Sequence, residues 1–120
     1  MSFSYNISSH ENYCAISLSG RLMADEFSEG LLIEVSEVAN NETANFLLNL
    51  KELDYVNSSG INMLVNILTK SRSKGGDVVL FDVSEKVQKL FIITKLNTVF
   101  SVAKDKTEAL EILNNSLAGN

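Results

Sequence analysis

The chain has no proline, a single cysteine and a single histidine in 120 residues. With no proline and no Gly/Ser-rich tract, no stretch reads as an interdomain linker, and Gly75-Gly76 reads as a turn. A lone Cys14 excludes an internal disulfide, and no pair of Cys or His residues stands at metal-ligand spacing, so neither a metal nor a cofactor is expected. Lys and Arg form no clustered stripe and the formal charge is −5, which argues against nucleic acid and favours a basic partner surface over an acidic one. No apolar run approaches membrane-spanning length, and the N-terminus lacks a basic-then-apolar leader pattern. No membrane association is expected, and the cytoplasm is the expected address. What is present is 45% apolar residues, enough for one core and one domain over residues 1–120.

The patterning supplies the elements in order. Phe3 to Ser8 alternates Phe3, Tyr5 and Ile7 against Ser and Asn, which predicts a strand. His10-Glu11-Asn12 reads as a turn. Tyr13 to Ser19 alternates again, with Cys14, Ile16 and Leu18 on one face and Gly20 as its end, so the two strands form an antiparallel hairpin. From about Leu22 to Val38 the period becomes helical through Phe27, Leu31, Val35 and Val38, with Asp25, Glu26 and Glu29 early and Asn40-Asn41 closing. Ala44 to Leu50 is a short apolar run suited to a strand covered on both faces.

A helix from Ser58 or Ser59 to about Lys74 is expected to bury Ile61, Leu64, Val65 and Leu68. Asp77–Phe81 reads as another buried strand. A helix capped by Ser84 follows, with Val87, Leu90, Phe91 and Ile93-Thr94 inward. Thr98–Ala103 reads as a short strand. A last helix from Asp105 or Lys106 turns Ala109, Leu110, Ile112 and Leu113 inward, and Asn114–Asn120 are expected to fray. Strands alternating with helices give an α/β fold: a mixed, mostly parallel sheet with an N-terminal β-hairpin and about four helices.

Between the third strand and the second helix lies Asp54-Tyr55-Val56-Asn57-Ser58-Ser59-Gly60-Ile61. Here a strand gives way to a polar turn that opens directly into a helix, at the sheet end where α/β folds gather functional groups. The unpaired N–H groups of a first helical turn, with the positive end of the dipole, receive an anion. A Ser58 hydroxyl can cap the helix when free, and its phosphate is tolerated there. The local chemistry predicts a phosphorylation switch.

This stretch, together with Leu90-Phe91-Ile92-Ile93-Thr94-Lys95-Leu96-Asn97-Thr98-Val99-Phe100, resembles the STAS domain of bacterial anti-sigma factor antagonists over nearly the whole chain. Family members read Asp-Ser-Ser/Thr/Ala-Gly-Leu at the turn, and the first serine, which matches Ser58, is the one phosphorylated. Ser59 and Gly60 match the next two positions. Asn57 replaces the usual aspartate, and Lys95 replaces a common glycine. The resemblance implies a non-enzymatic, monomeric partner switch. The unphosphorylated form binds an anti-sigma factor that is also a GHKL-type serine kinase, phosphorylation of Ser58 releases it, and a PP2C-type phosphatase reverses the change. Asn57, Ser58, Ser59 and Gly60 are the expected partner-binding residues.

Plainer roles stand beside these. Ser58 alone could be only a helix cap, Ser59 a first-turn residue, Asn57 turn chemistry and Asp54 a solvated loop acid. Gly60 reads as a site of close approach by backbone or partner. Cys14 reads as an inert core thiol, His10 as exposed, and Met23 as a packing or partner residue. Two competing functions remain: an unphosphorylated STAS scaffold within a signalling assembly, and a small serine hydrolase. The latter is disfavoured by the absence of Gly-x-Ser-x-Gly around Ser58 and by the position of His10.

Overall fold

The structure, a computed structural model, describes residues 3–24 and 28–118, the last three of these by backbone alone. Five strands form one sheet: β1 (Ser4–Ser9), β2 (Cys14–Leu22), β3 (Phe46–Val56), β4 (Val78–Phe81) and β5 (Ser101–Ala103), in the spatial order β1-β2-β3-β4-β5. The helices are α1 (Glu29–Asn41), α2 (Ser58–Ser73), α3 (Glu85–Ile93) and α4 (Lys106–Ala118). β1 pairs antiparallel with β2, and every later pair is parallel. The mixed sheet, the hairpin and the four helices are those expected from the patterning.

Each parallel pair is joined through a helix, and the helices divide between the two faces of the sheet. Leu31 and Val35 of α1, Leu64 and Ile67 of α2, and Val87 and Phe91 of α3 share one core with Ile16, Leu18, Phe46, Leu48 and Leu80. On the other face α4 sets Ala109 and Leu113 against Leu47, Val79, Phe81 and Ala103. β3 and β4 are therefore covered on both sides, which is why their sequences read as continuous apolar runs. Cys14 is fully buried. Burial holds its thiol neutral and pushes its pKa up to about 11, with Glu42 and Glu34 adding to the rise.

Several element boundaries differ from the sequence expectation, each for a physical reason. Gly20 does not end the second strand. It takes φ 86° at an irregularity in the pairing between Gly20 and Arg21, and β2 continues to a fully buried Leu22. Leu22 is thus a strand residue, and α1 begins only at Glu29. Asp25, Glu26 and Phe27, read as early helix, lie outside the described residues. β3 runs to Val56, so Asp54 and Tyr55 belong to a strand and not to a turn. Beyond Leu50 it pairs only with β2, across the irregular register, and its buried residues fall at Leu50, Leu53 and Val56. That spacing of three breaks the alternation of a strand and fits one face of a helix instead, so the period concealed the extension.

On α2 the buried face comprises Met63, Leu64, Ile67 and Leu68, while Ile61 and Val65 are only half-buried. Ile93 and Thr94 point outward, Ile93 with 78% of its surface exposed. Leu96–Thr98 form one 3₁₀ turn, which delays β5 to Ser101. α4 continues to Ala118 where fraying was expected from Asn114, because no helix breaker intervenes before Gly119.

Candidate functional site

The site begins where β3 ends. Asn57, not Ser58, is the N-cap of α2: its backbone is extended, and its Oδ1 accepts the Gly60 N–H at 2.7 Å. Its carbonyl accepts the Ile61 N–H at 2.9 Å, the first intrahelical bond. The expected capping role of Ser58 therefore belongs to its neighbour, whose amide oxygen reaches the third helical N–H as capping requires. Ser58 becomes the first helical residue. Its hydroxyl is exposed and makes no hydrogen bond among the described residues.

Gly60 is buried, and the reason is a main-chain approach. A Cβ there would collide with the carbonyl oxygen and carbon of Leu22 and touch Val56 Cγ1. The same Leu22 carbonyl accepts the Asn57 N–H at 3.2 Å. The end of β2 thus holds the start of α2 in place, and only a residue without a side chain fits between them. Asn57 and Gly60 are occupied structurally, while Ser58 and Ser59 are free.

Ser58 opens onto a groove of about 380 Å³ between α2 and α3. Val56, Ile61, Val87 and Leu90 supply its apolar walls, and Asp54, Tyr55, Asn57, Lys86 and Thr94 its polar lining. Ser59 does not line it. The α2 first turn carries no acid, whereas Glu29, Glu85 and Glu108 occupy the first turns of α1, α3 and α4. Lys70 and Arg72 complement the other end of the α2 dipole. An added anion at Ser58 thus meets helix N–H groups and no acid of its own turn.

The contribution of α3 to this site was missed in the sequence. Lys86, Leu90 and Thr94 stand about thirty positions from Ser58, and only the β4–α3 crossover brings them beside it. Ser84 caps α3 as expected, accepting the Val87 N–H at 3.3 Å. At the other end, Lys95 adopts φ 61°, the left-handed region that favours glycine. Met23 is exposed just beyond β2, and Arg21 lies over the Tyr55 ring at 4.7 Å.

His10 sits in the β1–β2 turn, where its Nε2 lies 3.2 Å from Ser8 Oγ and its ring stacks on Tyr13. That turn is at the opposite end of the sheet from Ser58. The intervening eleven-residue β3 spans about 30 Å, so no Ser–His pair forms. Among the described residues, no group of His, Cys, Asp and Glu could hold a metal ion, and no helix is long and apolar enough to cross a membrane.

A mixed five-stranded sheet led by an antiparallel hairpin and packed with four helices is the architecture of STAS domains. The chain belongs to the STAS domain family, whose sequence profile matches residues 4–109. It is 24% identical over 103 residues to the anti-sigma-B factor antagonist of Bacillus subtilis, covering 86% of this chain and 93% of that one. Among solved structures it is similar to an anti-sigma factor antagonist from Mycobacterium paratuberculosis, with TM-score 0.77, 17% identity, and coverage of 94% of this chain and 95% of that one. It also matches the anti-sigma factor antagonist SpoIIAA in its unphosphorylated form, with TM-score 0.72, 16% identity, and coverage of 98% and 100%. The Bacillus SpoIIAA phosphorylated form gives TM-score 0.71, 18% identity, and coverage of 90% and 97%.

Proposed function

We propose that this protein is an anti-sigma factor antagonist acting through a phosphorylation-controlled partner switch, with Ser58 as the phosphoacceptor. The observation that carries the reading is the division of labour at the start of α2. Asn57 caps the helix and Gly60 is pressed against Leu22, which leaves Ser58 as an exposed, unbonded hydroxyl facing the groove. The unphosphorylated form binds a GHKL-type anti-sigma factor with serine kinase activity, which transfers phosphate to Ser58. A PP2C-type phosphatase restores the binding form. Asn57, Ser58 and Ser59 contact the partner, and Gly60 acts by fixing the helix start.

The physics needs no refolding. Phosphate adds about −1.5 to −2 charges at pH 7 at a helix N-terminus that accommodates them. The similarity of this chain to both forms of SpoIIAA, at TM-scores 0.72 and 0.71, fits a switch that leaves the fold intact. Within an interface, juxtaposed like charge costs several kcal/mol, and about 3 kcal/mol weakens binding by roughly a hundredfold. Asn57 lowers the negative charge beside Ser58 relative to the aspartate usual in the family.

Intact-mass spectrometry with ATP and a candidate GHKL kinase, followed by fragmentation, tests the proposal. The expected result is one phosphate on Ser58, none in Ser58→Ala, and weaker kinase binding by Ser58→Asp than by Ser58→Ala. Equal affinity of the parent and both variants would sink the switch, and phosphate on Ser59 would move the site.

A further inference from the structure

Charge is divided along the chain and therefore across the sheet. Residues 1–54 hold nine of the fifteen acids and only two of the ten bases. They build β1, β2, α1 and β3, so one end of the sheet is acidic while the β5 end, with α3 and α4, carries most of the lysines. α1 contributes Glu29, Glu34 and Glu37 and contains no Lys or Arg.

The outermost strand at the acidic end is β1. Sheet edges are usually guarded by brevity, charge, proline or bulges. β1 has none of these: six residues, Ser-Tyr-Asn-Ile-Ser-Ser, pair with β2 in unbroken register, and none is charged. Among the described residues, no element pairs with its outer side. The opposite edge is only three residues long and leads directly into Lys104.

The α1 flank stands over this edge. The Tyr5 hydroxyl of β1 is hydrogen-bonded to Glu34 and would lie 3.1 Å from a Cβ placed on Gly30. Ile33 and Glu37 lie on the same outer flank of the helix by its 3.6-residue period. Ile33 is 56% exposed, and Glu34 and Glu37 are exposed as well. A strand laid against β1 would meet apolar and acidic groups on its helix-facing side, and Ser4, Asn6 and Ser8 on the other.

We propose that the β1 edge is a docking site for an extended, lysine- or arginine-bearing segment of a partner protein, added to the sheet as a sixth strand. Backbone pairing supplies the affinity common to strand addition. The acids of α1 select basic side chains on one face of the incoming segment. They also disfavour a second copy of this chain paired through β1, because that arrangement would bring two α1 acid rows together. The surface is two strands away from β3, which leads to Ser58, so the protein could hold a partner there in either phosphorylation state.

The test uses the full chain, ¹⁵N-labelled, with the peptide Lys-Val-Lys-Ile-Lys-Val-Lys as probe. Amide shifts confined to residues 4–9 and to α1 are expected, with affinity falling about tenfold from low to high salt as surface charges are screened. The Glu-for-Lys peptide should not bind, and neither should the Lys peptide N-methylated at every residue, which leaves neither of its edges able to donate to β1. Glu37→Lys should weaken binding at least tenfold without lowering the Tm, and Glu34→Gln should weaken it less. Shifts centred elsewhere, equal binding by the N-methylated peptide, or indifference to Glu37→Lys would overturn the proposal. So would concentration-dependent dimerisation through β1, seen by sedimentation, which would give the edge to a second copy.

Discussion

Replacing Gly60 with alanine tests the account of the site at its tightest point. The added methyl would meet the Leu22 carbonyl oxygen and carbon, both main chain, and Val56 Cγ1. Main chain cannot rotate aside, so either the first turn of α2 lifts or the end of β2 moves. Overpacking of this kind costs about 1–3 kcal/mol. Lifting the turn also loosens the 2.7 Å bond from Gly60 N–H to Asn57 Oδ1, and a lost cap costs about 1 kcal/mol. Alanine recovers up to ~1 kcal/mol of helix propensity over glycine.

The net expectation is a loss of about 2 kcal/mol. At an unfolding entropy of roughly 2.1 cal/mol/K per residue, a domain of this size loses about 8 °C in Tm. Scanning calorimetry of Gly60→Ala beside Ser59→Ala measures it. Ser59 is exposed on the same turn, and its replacement should stay within about 0.5 kcal/mol of the parent. A Gly60→Ala Tm within about 2 °C of the parent would refute the argument, since β2 would then not be holding the helix start.

Three further outcomes are expected. Asn57→Ala should cost about 1 kcal/mol by removing the cap, whereas Asn57→Asp should keep it and gain from the helix dipole; equal melting temperatures for the two would contradict the capping assignment. Lys95→Gly should stabilise by about 1 kcal/mol, because a left-handed backbone costs an ordinary residue that much and Lys95 stands at φ 61°; a lower Tm would show that the lysine side chain outweighs the backbone. Folding favours the neutral Cys14 thiol, whose folded pKa of about 11 exceeds its ordinary 9.0. Its contribution is therefore whole below pH ~8.5 and is lost as pH rises through the folded value, a change of roughly 2–3 kcal/mol. Urea titrations across that range should be flatter for Cys14→Ala. Tyr5, raised to about 12 first by its hydrogen bond to Glu34 and then by burial, adds a later loss that Tyr5→Phe removes.

Local sequence was enough for the order of elements, the inward faces of β1, β2 and α1, and the strand-to-helix junction that carries Ser58. These are written in local periods and in one turn whose residue types allow few alternatives. Cys14, Ile16 and Leu18 alternate because β2 is covered on one face, and Val78–Phe81 run apolar because β4 is covered on both. Tertiary structure decided what depends on partners distant in the chain. The irregular β2–β3 pairing carried both strands past Gly20 and Leu50 in a phase no local pattern reveals. The close approach of Leu22 to Gly60 gave the glycine its reason and the cap to Asn57. The crossover into α3 placed Lys86 and Leu90 beside Ser58. Local periodicity records which face of an element is buried, but not which backbone it will press against, and that contact fixes the geometry at Ser58.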